Sequence, residues 1–334
     1  MSRRRWIGWL VLGVCVWIPV EAQESRTLAI ATGGTGGMYY PFGGGLASIW
    51  SKSLAGVNVK AEVTGGSLIN VIQVARNESD LGIAMADVVT DGYLGRGRFP
   101  APLDLRVLFA AYPNIVHIMT LEGSDITSVA DLAGKRVSLG AAGSGTAIAA
   151  ENIFAALSVP LDSFQDQYLD FNDTVSALKD GTIDAGFIVG GLGISAVMEL
   201  SVTRAMKLID LTPGELEKVT AAVPVYAPIE IPAGLYRGID KPVAGLGIWS
   251  VVIVGADMPE DLAYGLSCTT FQSLDALMKV AQVARYTTPA NVYELNAVPL
   301  HAGTARYLKE AEVARQAGEP LPVCDRAAAQ KAAD

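Results

Sequence analysis

One arrangement, met three times, constrains this chain more than any other: a short apolar strand, a glycine-rich loop, then a helix. Thr27 to Ala31 reads as a buried strand that runs into Thr32-Gly33-Gly34-Thr35-Gly36-Gly37. Tyr39, Phe42, Leu46, Ile49 and Trp50 then recur at helical spacing, with Pro41 in the first turn, where its missing N–H costs nothing. Val57 to Val63 alternates apolar and polar, gives way to Thr64-Gly65-Gly66-Ser67, and Leu68, Val71, Ile72 and Ala75 fall on one helical face. Arg136 to Gly140, then Ala141-Ala142-Gly143-Ser144-Gly145-Thr146, then Ala147 to Leu157 follow the same order. A glycine loop lets backbone approach a ligand, and the helix start behind it offers unpaired N–H groups and a partial positive charge. A small anion is the natural guest. Any one of these loops alone would be an ordinary flexible turn; the recurrence argues for a site.

The remaining segments fit the same scheme. Asn77 to Asp80 stops a helix, and Leu81 to Ala86 is a strand ending at Asp87; Asp180 to Asp184 and Ala185 to Val189 echo that pair in the second half. Gln167 to Phe171 reads as a strand, with Asn172-Asp173-Thr174 opening a helix, and a further helix runs from Gly191 to Ala205. Asp91 to Pro102 reads as a turn-rich surface segment. Arg106 to Tyr112 and Val116 to Thr120 are strands broken at Pro113-Asn114, a crossing between halves; Tyr226 to Pro232 and Ala244 to Val254 bring the chain back, and Asp257 caps a long helix. Strand–helix alternation predicts a mostly parallel sheet flanked by helices in each of two similar lobes, with ligands beyond the carboxyl ends of the strands. The expected division is a signal peptide over 1–22, a first lobe over 23–113, a second over 114–229, a return to the first over 230–312, and an Ala-rich tail over 313–334.

Arg3-Arg4-Arg5, the apolar run Ile7 to Val20 and the exit Val20-Glu21-Ala22 form the pattern of a secretory leader cleaved after Ala22. The run is short of the roughly 20 residues that span a bilayer, which disfavours a retained anchor, and Val14 before Cys15 disfavours lipid attachment. The leader carries three Arg and one Glu, so its removal takes the net charge from -9 to -11. An acidic chain without a basic run repels nucleic acid and anionic membrane. The two remaining cysteines, Cys268 and Cys324, permit one disulfide in an exported protein and equally permit two free thiols.

Enzyme signatures fail one by one. The dinucleotide fingerprint breaks at Tyr39 and again at Ile148, the phosphate loop breaks because Arg136 follows Gly134-Lys135, and the nucleophile elbow is not completed around Ser144. The two histidines, His117 and His301, are far apart and offer no metal cluster. His117 reads as a packed core residue and His301 as part of a polar turn. What remains is a set of neutral donors at glycine loops and helix starts: Thr35, Thr64, Ser67, Asn70, Ser144 and Thr146. Singly each is a helix cap. Together they suit a carboxylate without an arginine, and Asp87 could take an amino group or the hydroxyl of a Thr or Tyr.

At these residues the chain resembles the TAXI family of solute receptors for tripartite ATP-independent periplasmic (TRAP) transporters. The similarity is carried by Ala31 to Pro41, by Glu62-Val63-Thr64-Gly65-Gly66-Ser67 with Asn70, and by Met85-Ala86-Asp87-Val88. It continues through Tyr112-Pro113, Val116-His117, Gly134 to Ser138, Gly140 to Thr146, Ile231 to Tyr236 and Pro299 to Gly303. The resemblance implies a two-lobed periplasmic-binding-protein fold and a monomer without cofactor, metal or catalysis. Its ligand would be a glutamate-like amino acid or a dicarboxylate such as 2-oxoglutarate, delivered to a TRAP permease. Carried onto matching positions, it implies ligand contacts from Thr35, Gly36, Gly37, Tyr39, Gly65, Gly66, Ser67, Asn70 and Asp87 in one lobe, and from Ser144, Gly145 and Thr146 in the other. Gly140-Ala141-Ala142 stands where the family often has a proline, which implies a looser loop, and Gly43-Gly44-Gly45 suggests tight packing of the first helix against a neighbour. The competing readings are a secreted enzyme on the same scaffold with His117 as base, and a surface antigen whose transport role has lapsed.

Overall fold

The computed structural model describes residues 26–294, 297–322 and 324; the expected leader, its cleavage after Ala22 and half of the expected tail lie outside them. Strand β1 (Arg26–Ala31) leads to helix α1 (Tyr39–Ser53), β2 (Val57–Glu62) to α2 (Ser67–Ala75), and β3 (Leu81–Met85) to α3 (Ala86–Leu94). A long strand, β4 (Leu105–Leu121), crosses to the second half. There β5 (Arg136–Ser138) leads to α4 (Gly145–Ala156), β6 (Gln165–Gln167) to α5 (Phe171–Asp180), and β7 (Ala185–Gly190) to α6 (Ser195–Thr203). The chain continues through β8 (Met206–Leu208), α7 (Pro213–Ala222), β9 (Tyr226–Ile231) and a second long strand, β10 (Val243–Gly255). Helices α8 (Glu260–Gln272), α9 (Leu274–Val280) and α10 (Ala302–Ala317) complete it.

The strands form one sheet in the order β2-β1-β3-β10-β4-β7-β5-β6, with β8 beside β4 and β9 beside β10. β1, β2 and β3 are parallel, as are β5, β6 and β7; β10 runs antiparallel to β3, β4 runs antiparallel to β7, and the two long strands, antiparallel to each other, join the sets. Both faces are covered. In β10, Val252 and Val254 enter a core with Phe42, Leu46 and Trp50 of α1, while Val251 and Ile253 enter another with Val71 and Val74 of α2. Adjacent strand residues point to opposite faces, so a strand buried on both sides reads as a continuous apolar run. The mixed, mostly parallel α/β architecture in two halves is therefore as expected.

Several local readings change. β4 is unbroken at Pro113: only β10 lies alongside there, through Trp249, because β7 joins from Ile115 onward. A proline is tolerated where one edge of a strand carries no ladder. Asp91 to Leu94 belongs to α3 rather than to a turn-rich segment, since Val88 and Val89 are buried and the helix stops only at Gly95, in the left-handed region. Asp87 thus sits in a first helical turn, not at a strand end. β6 stops at Gln167, and Asp170 caps α5, which Phe171 opens. Pro259, not Asp257, precedes α8, and His301 is the buried cap of α10, its Nδ1 accepting the Gly303 N–H at 3.2 Å. Cys268 and Cys324 are bonded, tying the tail to α8. A Cβ on Gly45 would come within 2.8 Å of Leu277, the close helix packing that the glycine run suggested. No helix among the described residues is long and apolar enough to cross a membrane.

Candidate functional site

The loops leaving the carboxyl ends of β1, β2, β5 and β6 line one cavity of about 320 Å³, the scale of small-molecule sites. Met85, Tyr112, Asn114, Val189 and Gly190 complete its wall. Four helices begin there, at Tyr39 (α1), Ser67 (α2), Gly145 (α4) and Phe171 (α5). Ser144 Oγ caps α4 by accepting the Ala147 N–H at 3.1 Å, and Asp170 caps α5 by accepting that of Asp173 at 2.9 Å. Met38 and Gly66 place no side chain on the starts of α1 and α2. Apart from Pro41, which has no N–H, and Leu68, whose N–H is already engaged, first-turn N–H groups there carry no side-chain cap, and the aligned peptide dipoles favour an anion. Gly66 has φ of 105°, a conformation that side-chain-bearing residues rarely adopt, and only so does the β2 loop turn this close to Ser144. The halves touch on both sides of the cavity: the Leu68 N–H donates to the Gly143 carbonyl and Ser195 Oγ to that of Gly36, each at 3.2 Å.

Of the residues expected to bind a ligand, Gly36, Gly37, Tyr39, Gly65, Gly66, Ser67, Ser144, Gly145 and Thr146 line the cavity. Thr35, Asn70 and Asp87 do not. Thr35 is exposed on the loop. Asn70 Nδ2 donates to the carbonyls of Thr32 and Ile83 at 2.5 and 2.7 Å, and its Oδ1 accepts from Thr64 at 2.6 Å. It therefore clamps the two first-half loops to each other. Asp87 accepts the Tyr226 hydroxyl at 2.6 Å and the Val88 N–H at 2.9 Å. Of the two partners envisaged for it, a hydroxyl is the one in place. Burial raises the Asp87 carboxyl to about 6.

Tyr112 and Asn114 belong to the wall and were not on the expected contact set. Their signal in the sequence is two polar groups inside a long apolar run. Asn114 Nδ2 donates to Ser250 Oγ, which also lies 2.8 Å from Tyr39 Oη. Ser67 Oγ accepts the Met85 N–H at 3.1 Å, leaving its own proton to donate. Burial lifts the Tyr39 phenol to about 12 and that of Tyr112 well above its ordinary value, so both are neutral donors. The lining has no Lys, Arg or His, and its one charged residue is the exposed Asp170. His117 lies elsewhere, fully buried, with Nε2 2.9 Å from Tyr236 Oη and Nδ1 3.2 Å from the Ile188 carbonyl; burial drives it down to about 4. Among the described residues no group of three or more His, Cys, Asp or Glu is placed to hold a metal.

Among solved structures the chain is similar to MatC from Rhodopseudomonas palustris with bound malate, at 12% identity over 84% of this chain and 96% of that one, with a TM-score of 0.56. It is also similar to an ATP-bound protein from Xanthomonas citri, at 12% identity over 93% and 99%, with a TM-score of 0.50. Likenesses this remote concern the fold alone. The model of the NMT1-like family matches residues 30–311. Nearly all of the described residues lie within that match, and the protein belongs to the NMT1-like family.

Proposed function

We propose that this protein is an exported solute receptor. It would capture a small organic anion, a glutamate-like amino acid or a dicarboxylate such as 2-oxoglutarate, and present it to a TRAP-type permease as a monomer. The observation that carries this reading is the convergence of four helix starts, two of them without side-chain caps, on a cavity between the halves with no cationic side chain in its lining. A carboxylate is the group such a site can hold. The malate bound to MatC, which shares the fold, supports the ligand class.

In this reading the first lobe is 23–113 with 230–312 and the second is 114–229, so that the boundaries fall inside β4 and β9, where strands rather than loops connect the lobes. Thr35, Asn70 and Asp87 become supporting residues, and the other expected contacts hold the ligand. The leader over 1–22 would direct the chain to the periplasm. An enzyme using His117 is disfavoured because that imidazole is buried, doubly hydrogen-bonded and absent from the cavity wall. An antigen with a lapsed site is disfavoured because a cavity of about 320 Å³, not filled by side chains, remains between the halves.

The test is a thermal-shift panel of carboxylic and amino acids. A ligand that binds only the folded state stabilises it by RT ln(1 + [L]/Kd), about 2.7 kcal/mol at 100 times Kd. At least one organic acid is expected to shift the transition. Silence across oxo-, hydroxy-, amino- and dicarboxylic acids would overturn the proposal.

A further inference from the structure

We propose that Asp170 is a specificity-determining residue of this cleft, and that its carboxylate takes an ammonium group of the ligand, so that the site prefers amino acids to the oxo acids and plain acids of the same carbon skeleton. The inference rests on the cavity being the ligand site, as argued above, and narrows the ligand class given there.

Asp170 immediately precedes α5, is exposed, and is the one charged side chain in the lining of the cavity. One oxygen, Oδ1, caps the helix by accepting the Asp173 N–H at 2.9 Å; the other, Oδ2, has no hydrogen-bond partner among the described residues. None of the ion pairs among the described residues includes it. Asn or Ser would cap the helix as well, so the cap does not require the charge.

The place of Asp170 in the cavity gives that charge a role. Phe171 and Asn172, the next two residues, pack on the loop of the first half: a Cβ on Gly37 would lie 3.5 Å from the Phe171 ring, and one on Gly36 would collide with Asn172. Asp170 therefore reaches the cavity from the second half, while the uncapped starts of α1 and α2 reach it from the first. One wall is electropositive through its helix starts, and the other carries a full negative charge. A ligand with both a carboxylate and an ammonium satisfies the two together.

An ammonium drawn out of water needs a partner, and Asp170 is the acid the lining offers it. An oxo group or a hydrogen in its place brings no positive charge and leaves Asp170 facing an anion, a like-charge contact that weakens binding. The carboxylate thus selects by attracting one class and repelling the other. Asp87, the acid that the sequence suggested for an amino group, is outside the lining and already accepts the Tyr226 hydroxyl.

The experiment measures affinities by calorimetry on the wild type and on Asp170→Asn. The probes are glutamate, leucine and any further amino acid that the thermal-shift panel picks out. Each is paired with the acid carrying an oxo group in place of the amine and the acid carrying hydrogen there. In the wild type the amino acid of a set that binds is expected to be about 10-fold or more tighter than its two analogues. Asn keeps a capping oxygen, so the ligand-free melting temperature of the variant is expected to stay close to that of the wild type. In the variant the amino acid is expected to weaken by about 10-fold or more, while its analogues bind as tightly as before or more tightly. Equal weakening of all three acids would mark Asp170 as merely structural and overturn the proposal. A wild type that prefers the oxo or plain acid overturns it too, as does a variant that keeps the preference for the amine. If the panel yields only acids without an amine, this proposal alone fails; if it yields none at all, the receptor reading fails and takes this one with it.

Discussion

Replacing Asp87 with Asn changes how stability responds to pH, and the structure gives the size of the change. Asp87 is buried between α3 and Tyr226, and burial moves its carboxyl from 3.8 to about 6. The folded protein therefore holds this proton more tightly than the unfolded chain. Its contribution to stability is complete below pH 4 and is lost as the pH climbs through 6. A displacement of that size corresponds to about 3 kcal/mol. His117 runs the opposite way: burial lowers it from 6.5 to about 4, so the unfolded chain binds the proton better and stability is lost as the pH falls across that window. That is again about 3 kcal/mol. In the wild type the two windows overlap and their slopes nearly cancel. Asp87→Asn keeps an acceptor for Tyr226 and removes one of the two slopes. Urea unfolding of both proteins at a series of pH values, at constant salt, reads the difference. The stability of the variant relative to the wild type is expected to rise by about 3 kcal/mol between pH 4 and pH 7. Curves that stay parallel across that range would refute the assignment of a buried, high-pKa carboxylate to Asp87.

Ser67→Ala combined with Thr146→Ala removes a hydroxyl donor from each half of the cavity; ligand affinity is expected to fall by about 100-fold or more, while circular dichroism keeps the native spectrum. Ser67 also accepts the Met85 N–H, so a loss of about 1–3 kcal/mol in urea stability accompanies it. Retained affinity would place the ligand elsewhere. Replacing Cys268 and Cys324 together with Ser releases a closed loop spanning 56 positions, and chain entropy sets the expected loss at roughly 4 kcal/mol. An unchanged urea midpoint would show that the tail is held without the bond.

The repeated strand–loop–helix order was legible because period and punctuation agree: apolar strands buried on both faces, glycines at their ends, helix faces behind them. The same logic found most of the cavity wall, since glycine loops at carboxyl strand ends must face the cleft in this architecture. It says less where the environment of a side chain decides its role: Asn70 spends its amide N–H groups on the Thr32 and Ile83 carbonyls, and of the two partners the sequence suggested for Asp87 its carboxylate accepts the Tyr226 hydroxyl. Tyr112, although among the residues that carry the resemblance, is outside the expected contact set because an aromatic in an apolar run reads as core. Helix α7 carried its own signal, the capping box of Thr212 and Glu215 with Pro213 in the first turn, and was passed over. A proline in an apolar run suggests a turn, whereas at Pro113 the strand has a free edge to receive it.

The most direct measurement is a crystal structure with the organic acid that gives the largest thermal shift. The account predicts carboxylate oxygens within hydrogen-bond distance of backbone N–H groups at the starts of α1, α2 or α4, between the two halves, with no cationic side chain alongside. An acid held by a lysine or arginine, or seated outside the hollow bounded by the Gly36, Gly66 and Gly145 loops, would contradict it.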